Sequence, residues 1–484
     1  MYYIGVDLGT SSVKLLLLSD EGICNIVSRE YPVSYPQNGW SEQNPEDWWI
    51  ETVEGIKQLT ADIDKTQVKA ISFGGQMHGL VILDNNDNVI RPAILWNDTR
   101  AQKETDYLNN VIGKEKLVDL TGNIAFAGFT APKIMWLKNN EPVNFNKISK
   151  IMLPKDYIAY RLTGVHSTDV SDASGMLLLD VKNRCWSKEM LEITGINEKQ
   201  LPTLFESYEI TGKLKPEIAS EFGFSDVNVI AGAGDNAAAA VGTAAINNGS
   251  CNISLGTSGT VFVASDKFVP DYKNAIHNFC HANGKYHYMA CILSAASCNK
   301  WWLENILNTK DYVTEYENYN SLGDNEVIFL PYLMGERSPL NDSDIRGMFY
   351  GISMSTTRQN MSVAVLEGIA FALKQNIEII KSMGIDIAES KICGGGTNNK
   401  LWLKIIASVL NIELHIQENQ EGASYGSALL AAKGCDKNIY NNLINNMKVV
   451  EVIKPDIELV EKYKSKYAKF LKMYPALKAL YINP

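Results

Sequence analysis

One short pattern occurs twice in this chain. Tyr2-Tyr3-Ile4-Gly5-Val6 reads as an apolar strand, Asp7-Leu8-Gly9-Thr10-Ser11-Ser12 as a turn, and Val13 to Leu18 as a second apolar strand, after which Asp20-Glu21-Gly22 turns the chain again. From Asn252 to Asp266 the order strand, Leu-Gly-Thr-Ser turn, strand recurs. Leu-Gly-Thr-Ser is only four common residues, but the similar strands flanking both copies make chance the poorer explanation. The copies begin roughly half a chain apart. They therefore predict two lobes on a common strand-rich core, divided as 1–245 and 246–484.

A Gly-Thr-Ser loop between strands offers backbone N–H groups and hydroxyls with little side-chain bulk, which suits phosphate oxygens. Gly9, Thr10, Ser11 and the nearby Lys14 are phosphate-binding candidates, as are Gly256, Thr257 and Ser258. Asp7 heads the first copy where the second has Ser254. A carboxylate beside polyphosphate needs a cation between them, so Asp7 is a candidate Mg²⁺ ligand through water. The first copy then marks the metal side, and the second belongs to the lobe expected to swing over the phosphates. Either copy alone reads better as a plain hairpin turn; the two together favour the phosphate-binding reading.

Three further segments carry polar groups among glycines. In Gly232-Ala233-Gly234-Asp235-Asn236-Ala237 the G-x-G-x-x-A spacing suggests a dinucleotide fold, but no Asp or Glu follows between Asn236 and Ser265 to hold a ribose. Two readings of Asp235 remain, a base that takes a proton from an attacking hydroxyl and an N-cap for the Ala-rich run after it. Gln76-Met77-His78-Gly79 and Trp96-Asn97-Asp98-Thr99-Arg100 mix donors, acceptors and one indole face, as a polyhydroxylated ligand requires. Gly394-Gly395-Gly396-Thr397-Asn398-Asn399 lies between a strand and a helix without Walker A spacing, and its glycines let backbone approach an adenosine or a phosphate.

Other features exclude rather than assign. A net charge of -10 argues against a protein built to grip nucleic acid. Eight cysteines without a C-x-x-C pair read as reduced thiols of a cytoplasmic protein, and no uncharged run reaches membrane-spanning length. His277, Cys280, His281 and His287 crowd together, but the segment reads as strand and turn rather than a metal site. Gln359 to Met383 has helical periodicity, and so does the face carrying Trp402, Ile405, Ile406 and Val409. The stripe Val460, Tyr463, Tyr467, Phe470 and Tyr474 predicts a packing helix bent or ended near Pro475.

In combination these segments resemble the FGGY carbohydrate kinases and, within them, the xylulokinase branch. The resemblance runs from Tyr3 past Gly426 and includes Trp40-Ser41-Glu42-Gln43, Gly128-Phe129-Thr130-Ala131-Pro132-Lys133, Leu153-Pro154-Lys155-Asp156-Tyr157 and Gly335-Glu336-Arg337-Ser338-Pro339 beside the motifs above. It implies an α/β fold of two actin-like, ribonuclease H-like lobes with a deep cleft between them. It further implies ATP and Mg²⁺ as cofactors, Asp235 as catalytic base, both Gly-Thr-Ser loops at phosphate, and Gly394, Gly395, Gly396 and Asn399 at adenosine. Asp7 lies near the metal in that reading. Gln76, Met77, His78, Trp96, Asn97, Asp98 and Asn236 face the sugar. Glycerol kinases typically carry Asn-Gln-Arg-Glu in place of Gln76 to Gly79, and Tyr-Phe in place of Gly128-Phe129, which argues against glycerol.

The expected reaction is phosphorylation of D-xylulose to D-xylulose 5-phosphate. Its rivals are another ketose, a sugar acid or a polyol, and, from another class, an actin-like ATP-binding sugar sensor without phosphotransfer. The expected partners are small molecules alone, with neither nucleic acid nor membrane. A homodimer is plausible from family habit.

Overall fold

The computed structural model describes residues 1–481 apart from Asn274 and Asn318. The first sheet is formed by β1 (Tyr2–Leu8), β2 (Ser12–Ser19), β3 (Gly22–Glu30), β4 (Val68–Gly75), β5 (Ile210–Lys213), β6 (Asn228–Ile230) and β7 (Ala233–Gly234). Its order is β5-β6-β4-β1-β2-β3, with β7 also on β4. The second is formed by β8 (Cys251–Leu255), β9 (Gly259–Ser265), β10 (His277–Cys280), β11 (Tyr286–Ile292), β12 (Glu389–Cys393), β13 (Glu413–Gln417) and β14 (Val449–Ile453), in the order β10-β11-β9-β8-β12-β13-β14.

The two sheets follow one plan. In each, three strands run antiparallel (β1-β2-β3 and β8-β9-β11). A fourth lies parallel to the first (β4 and β12), a fifth parallel to the fourth (β6 and β13), and the last turns back (β5 and β14). The repeated hairpin is thus the opening of a repeated α/β unit. Both loops are shorter than the sequence suggests. The strands run to Leu8 and Leu255 and resume at Ser12 and Gly259, leaving only Gly9-Thr10-Ser11 and Gly256-Thr257-Ser258 outside. Asp7 is therefore a strand residue, paired across the hairpin with Lys14.

β1 is buried on both sides, as central strands flanked by helices are. Ile4, Val6 and Leu8 join a core with Trp48 and Ile56 of α1 (Pro45–Leu59), whose start is set by Asn44 accepting from the Glu46 N–H and by Pro45 in the first turn. The opposite face of the sheet is covered by α7 (Gly422–Cys435), although that helix comes from the second half of the chain. Gly5 is required there, because a Cβ on it would lie 2.1 Å from the Ser424 carbonyl oxygen. Next to it, α4 (Asp235–Gly242) crosses α7 so closely that a Cβ on Gly426 would sit 1.7 Å from the Ala238 carbonyl oxygen. Ala240 of α4 shares a small core with Phe262 and Ala264 of β9. The first sheet is thereby packed by a helix of the second half, and α4, packed mainly beneath the first sheet, reaches the second through Ala240.

The remaining helices that matter here are α2 (Thr130–Asn140), α3 (Pro154–Thr163), α5 (Arg358–Ser382), α6 (Lys400–Leu410) and α8 (Ile457–Tyr481). Trp402, Ile405, Ile406 and Val409 of α6 are all buried. α8 packs through Tyr463, Tyr467 and Phe470, and Tyr463 and Lys466 both donate to buried Glu367 of α5. It does not end at Pro475 but continues through it. Pro475 and Leu471, whose carbonyl loses its helical donor there, are both exposed, so water can satisfy that oxygen. Among the described residues no helix is long and apolar enough to cross a membrane.

A second set of contacts joins the halves along β10. Asn123 donates to the Asn278 carbonyl (2.8 Å) and accepts from the Asn278 N–H (2.9 Å), while Ser174 accepts from the Cys280 N–H at 3.0 Å. Arg184 donates to the carbonyls of Gly284 and Lys285 in the β10–β11 turn. His277, Cys280, His281 and His287 do form strand and turn, with the imidazoles packed against Phe129, Phe262 and Phe279.

Candidate active site

β1, β4 and β7 are parallel, and their C-terminal ends carry Asp7-Leu8, Gly74-Gly75-Gln76 and Gly234-Asp235 side by side. Adjacent strands lie about 4.8 Å apart, so Asp7 and Asp235 flank β4 with backbones separated by about 10 Å. Both are enclosed on most sides yet keep partial access to solvent. Burial, the Asp235 charge and, in the opposite direction, Lys14 together raise Asp7 to about 7. Burial raises Asp235 to about 6, against two hydrogen bonds that favour its ionised form. Those bonds come from the Asn236 backbone N–H and the Asn236 side-chain amide, each 2.7 Å from Asp235 Oδ1. The N-cap of α4 is Gly234, and no side chain caps the helix, so the Asp235 carboxylate is not spent as a cap.

The two Gly-Thr-Ser loops have different surroundings. In the first, Gly9 donates to the Ser12 carbonyl, Gln43 donates to the Thr10 carbonyl at 2.7 Å, and Trp96 donates from its indole to Thr10 Oγ1 at 3.0 Å. In the second, the carbonyls of Gly256 and Thr257 accept from Ala296, Ala295 and Ser297. With the carbonyls tied back, the N–H groups of Thr10, Ser11, Thr257 and Ser258 find no backbone acceptor among the described residues. They are left as donors for an incoming anion. Lys14, opposite Asp7, pairs with Glu421 just before α7 (3.1 Å, both partly exposed).

Gly394 to Gly396 lie against the second loop, at the ends of the parallel strands β8 and β12. Gly394 has φ +93°, and a Cβ on it would stand 2.6 Å from the Leu255 carbonyl oxygen, so only glycine fits. Beside them opens a cavity of about 530 Å³ lined by Thr257, Ser297, Lys300, Tyr312, Gly395 and Asn399. Asn399 caps α6 by accepting from the Trp402 N–H (3.0 Å), and its Nδ2 is buried without a hydrogen-bond partner. Ser297, Lys300 and Tyr312 carry no sequence signal, since they reach the cavity through segments with no glycine-rich motif.

His78 adopts φ +70°, which a side chain with a Cβ rarely does. Its backbone is held by Thr130 and Lys133, which both donate to the His78 carbonyl, at 3.1 and 2.9 Å. Its Nδ1 meets the Gly175 carbonyl at 2.8 Å, and since a carbonyl only accepts, Nδ1 carries the proton and Nε2 is left as an acceptor. Burial, then the Lys133 and Arg337 charges, depress His78 to about 3, so the ring is neutral. Gly175 and Gly234 make room for this segment, because Cβ atoms there would meet His78 Nδ1 at 2.3 Å and Met77 Sδ at 2.8 Å. Gln76 donates to Gln43 at 3.0 Å and keeps a buried, unpartnered Oε1.

The Trp96 to Arg100 segment divides. Trp96 is half-exposed at the first loop, and Asn97 is exposed in a surface groove with Gln37 and Trp40. Asp98 is buried with both oxygens already occupied, by Arg100 and by the Ser41 N–H (2.6 Å). It is placed to hold the fold rather than to meet a ligand. Behind β7 lies an ionic cluster absent from the sequence expectations. Lys155 of α3 is fully buried against Asp156 (2.6 Å), Asp169 (2.9 Å) and Asp172 (3.6 Å). Ser171 links it to the site, donating to Asp169 and accepting from the Gly234 N–H (3.2 Å). No sequence spacing announces the cluster, because it is assembled from two segments, 155–156 and 169–172.

Comparison with known proteins decides the family. Residues 2–242 match the N-terminal domain, and residues 251–435 the C-terminal domain, of the FGGY family of carbohydrate kinases. The chain belongs to the FGGY family of carbohydrate kinases. FGGY kinases are ATP-dependent sugar kinases, and both matched regions carry the loops described above. The chain is 37% identical over 482 residues to a xylulose kinase of Escherichia coli (strain K12), covering 98% of this chain and 99% of that one. The crystal structure of a xyloylose kinase from Brucella ovis is similar with a TM-score of 0.95 and 39% identity, over 99% of this chain and 100% of that one. A gluconate kinase from Lactobacillus acidophilus is similar with a TM-score of 0.92 and 25% identity, over 99% of both.

Proposed function

We propose that this FGGY kinase transfers the γ-phosphoryl group of ATP to the primary hydroxyl of D-xylulose, with Asp235 as general base. The observation that carries this reading is an ionisable carboxylate at the start of α4, oriented by Asn236 and free of any capping duty, at the head of the same strand group as Asp7. The attacking hydroxyl gives its proton to Asp235 while the oxygen moves in line on the γ-phosphorus. Thr10 and Ser11 on one side and Thr257 and Ser258 on the other donate N–H groups to phosphate oxygens. The cavity beside Gly394 to Gly396 takes the adenosine. Among the described residues no cluster of three or more metal-ligating side chains exists, which suits Mg²⁺, an ion usually held by one or two carboxylates, waters and the nucleotide itself. Asp7 would hold it through water, and the ion would neutralise charge on the phosphates.

The sugar lies between Asp235 and His78. Gln76 Oε1 and His78 Nε2 are acceptors for its hydroxyls, and Met77 packs beside the Gly234 turn. Xylulose is favoured over other family substrates by likeness to the xylulose kinases, and the neutral His78 acceptor suits one of its hydroxyls. The deciding experiment is sugar-dependent ADP release across a panel of ketoses, sugar acids and polyols. D-xylulose should give the highest kcat/KM, and Asp235→Asn should lose about three orders of magnitude in kcat while still binding nucleotide. Near wild-type turnover by a folded Asp235→Asn protein would remove Asp235 from the role. No sugar-dependent ADP release at all would favour a sensor.

A further inference from the structure

Arg337 stands in the loop between the short paired strands Ile328–Leu330 and Met348–Tyr350, in the second half of the chain, yet its side chain is turned toward Phe126 of the first. The loop under it is rigid. Ser338 donates from its N–H to the Cys291 carbonyl (3.0 Å) and from its hydroxyl to the Ala275 carbonyl (2.8 Å). Asn376 of α5 donates to the Ser338 carbonyl (3.1 Å), and the Asn341 N–H donates to the Arg337 carbonyl (2.6 Å). The guanidinium lies 5.7 Å from the ring centre of Phe126. Phe126 packs on Phe129 (5.2 Å) and His277 (4.8 Å), and Phe129 packs on His78 (4.6 Å), so the guanidinium shares one aromatic wall with the sugar-side histidine.

The half-buried guanidinium is uncommitted. Among the described residues its N–H groups make no hydrogen bond and no ion pair. Glu336 beside it does not take it up. One Glu336 oxygen accepts the N–H groups of Leu293 (2.9 Å) and Arg337 itself (2.8 Å), and the other is buried without a hydrogen-bond partner. A charged side chain with five donors, held on a rigid loop and left unpaired, is well suited to a ligand oxygen. Its charge bears on Glu336 and Cys291 on its own half and on His78 and His277 beside the Phe126–Phe129 wall, whereas Asp7 answers to Asp235 and Lys14. The guanidinium therefore belongs to the sugar side of the site and not to the phosphate side.

We propose that Arg337 is a sugar-binding residue that reads the substrate at the end opposite the reacting hydroxyl, donating to the ketose carbonyl oxygen and its neighbouring hydroxyl. This rests on the placement of the sugar between Asp235 and His78. His78 Nε2 accepts and Arg337 donates, so the pair recognises a hydroxyl next to a carbonyl. A guanidinium also favours a carboxylate, so a five-carbon aldonate with its carboxylate at that end should compete with the ketose.

The test uses Arg337→Met and Arg337→Lys in the full chain, with D-xylulose, the pentitols made by reducing its carbonyl, and the five-carbon aldonate as inhibitor. In Arg337→Met the KM for D-xylulose should rise about tenfold or more, as loss of a charged hydrogen bond implies, with the KM for ATP within about twofold. Any pentitol turnover should fall less, and aldonate inhibition should disappear. Arg337→Lys should recover part of the loss. A KM for D-xylulose within about twofold of wild type in a folded Arg337→Met protein overturns the proposal. So does a parallel rise in both KM values that Phe126→Leu reproduces, since the arginine would then only brace the two halves. If Arg337→Met does not fold, Arg337→Lys is judged by the same ketose-to-pentitol comparison. Wild-type protein inactive on every ketose would instead remove the xylulose reading itself.

Discussion

Asp235 is raised to about 6 because burial disfavours its charge more than the two Asn236 hydrogen bonds favour it. A base must be ionised to accept a proton, so activity is present above that value and lost as the pH falls through it. We expect kcat to fall about tenfold per pH unit below pH 6, one proton being enough to disable the site. Asn236→Ala removes a donor to the ionised carboxylate, so the acid limb should move to higher pH. A limb that stays in place in Asn236→Ala would show that another group sets it. At this scale the sequence was informative where a residue's surroundings are local. Asp235 stood out because small neighbours surround it in the chain itself. It was uninformative for Asp98, whose ligand-like Asn-Asp-Thr-Arg context hides a carboxylate consumed by Arg100 and Ser41. The Lys155 cluster was invisible for the same reason, since its three aspartates matter only after α3 and the segment 169–172 pack together.

Strands, loops and most helices were legible because their signals repeat within a few residues. The two hairpins, the α6 face and the Gly394 corner all follow from local periodicity and turn chemistry. The packing of α7 across α4 and onto the first sheet was not legible, because it depends on which surfaces meet after both units have formed. It can be tested at Gly426. A methyl there would overlap the Ala238 carbonyl oxygen, the relevant Cβ position being 1.7 Å away. Backbone cannot yield as a flexible side chain can, so Gly426→Ala should cost about 3 kcal/mol or more, visible as a lower urea midpoint. The first residue of the helix it would displace is Asp235, so kcat should fall even in the fraction that remains folded. A variant with unchanged midpoint and unchanged kcat would mean that the crossing can relax around the added methyl.

At the scale of the whole molecule, two of the contacts between the halves are the crossing of α4 and α7 and the seam along β10. Both lie away from the Gly394 cavity, where the donors of the second loop are held on one half alone. Relative motion should therefore pivot on the crossing and the seam and bring Thr257 and Ser258 toward Thr10 and Ser11. Substrate then matters beyond its own contacts. The sugar touches groups from both halves on the reading given above, so binding it favours the closed arrangement in which the two loops can share one set of phosphates. By linkage each ligand must tighten the other by the same factor. We expect D-xylulose to lower the Kd of a non-hydrolysable ATP analogue by about tenfold, a coupling of about 1.4 kcal/mol, with the reciprocal titration giving the same ratio. Arg184→Ala removes the clasp on the β10–β11 turn, where Arg184 also stacks 4.6 Å from the Tyr286 ring centre. It should weaken the coupling while leaving the nucleotide Kd without sugar nearly unchanged, because the cavity itself is built within one half. Calorimetry on the wild type and this variant separates the outcomes. Equal nucleotide affinity with and without sugar in the wild type would show that the two sites fill independently, and the pivot would then have no part in catalysis.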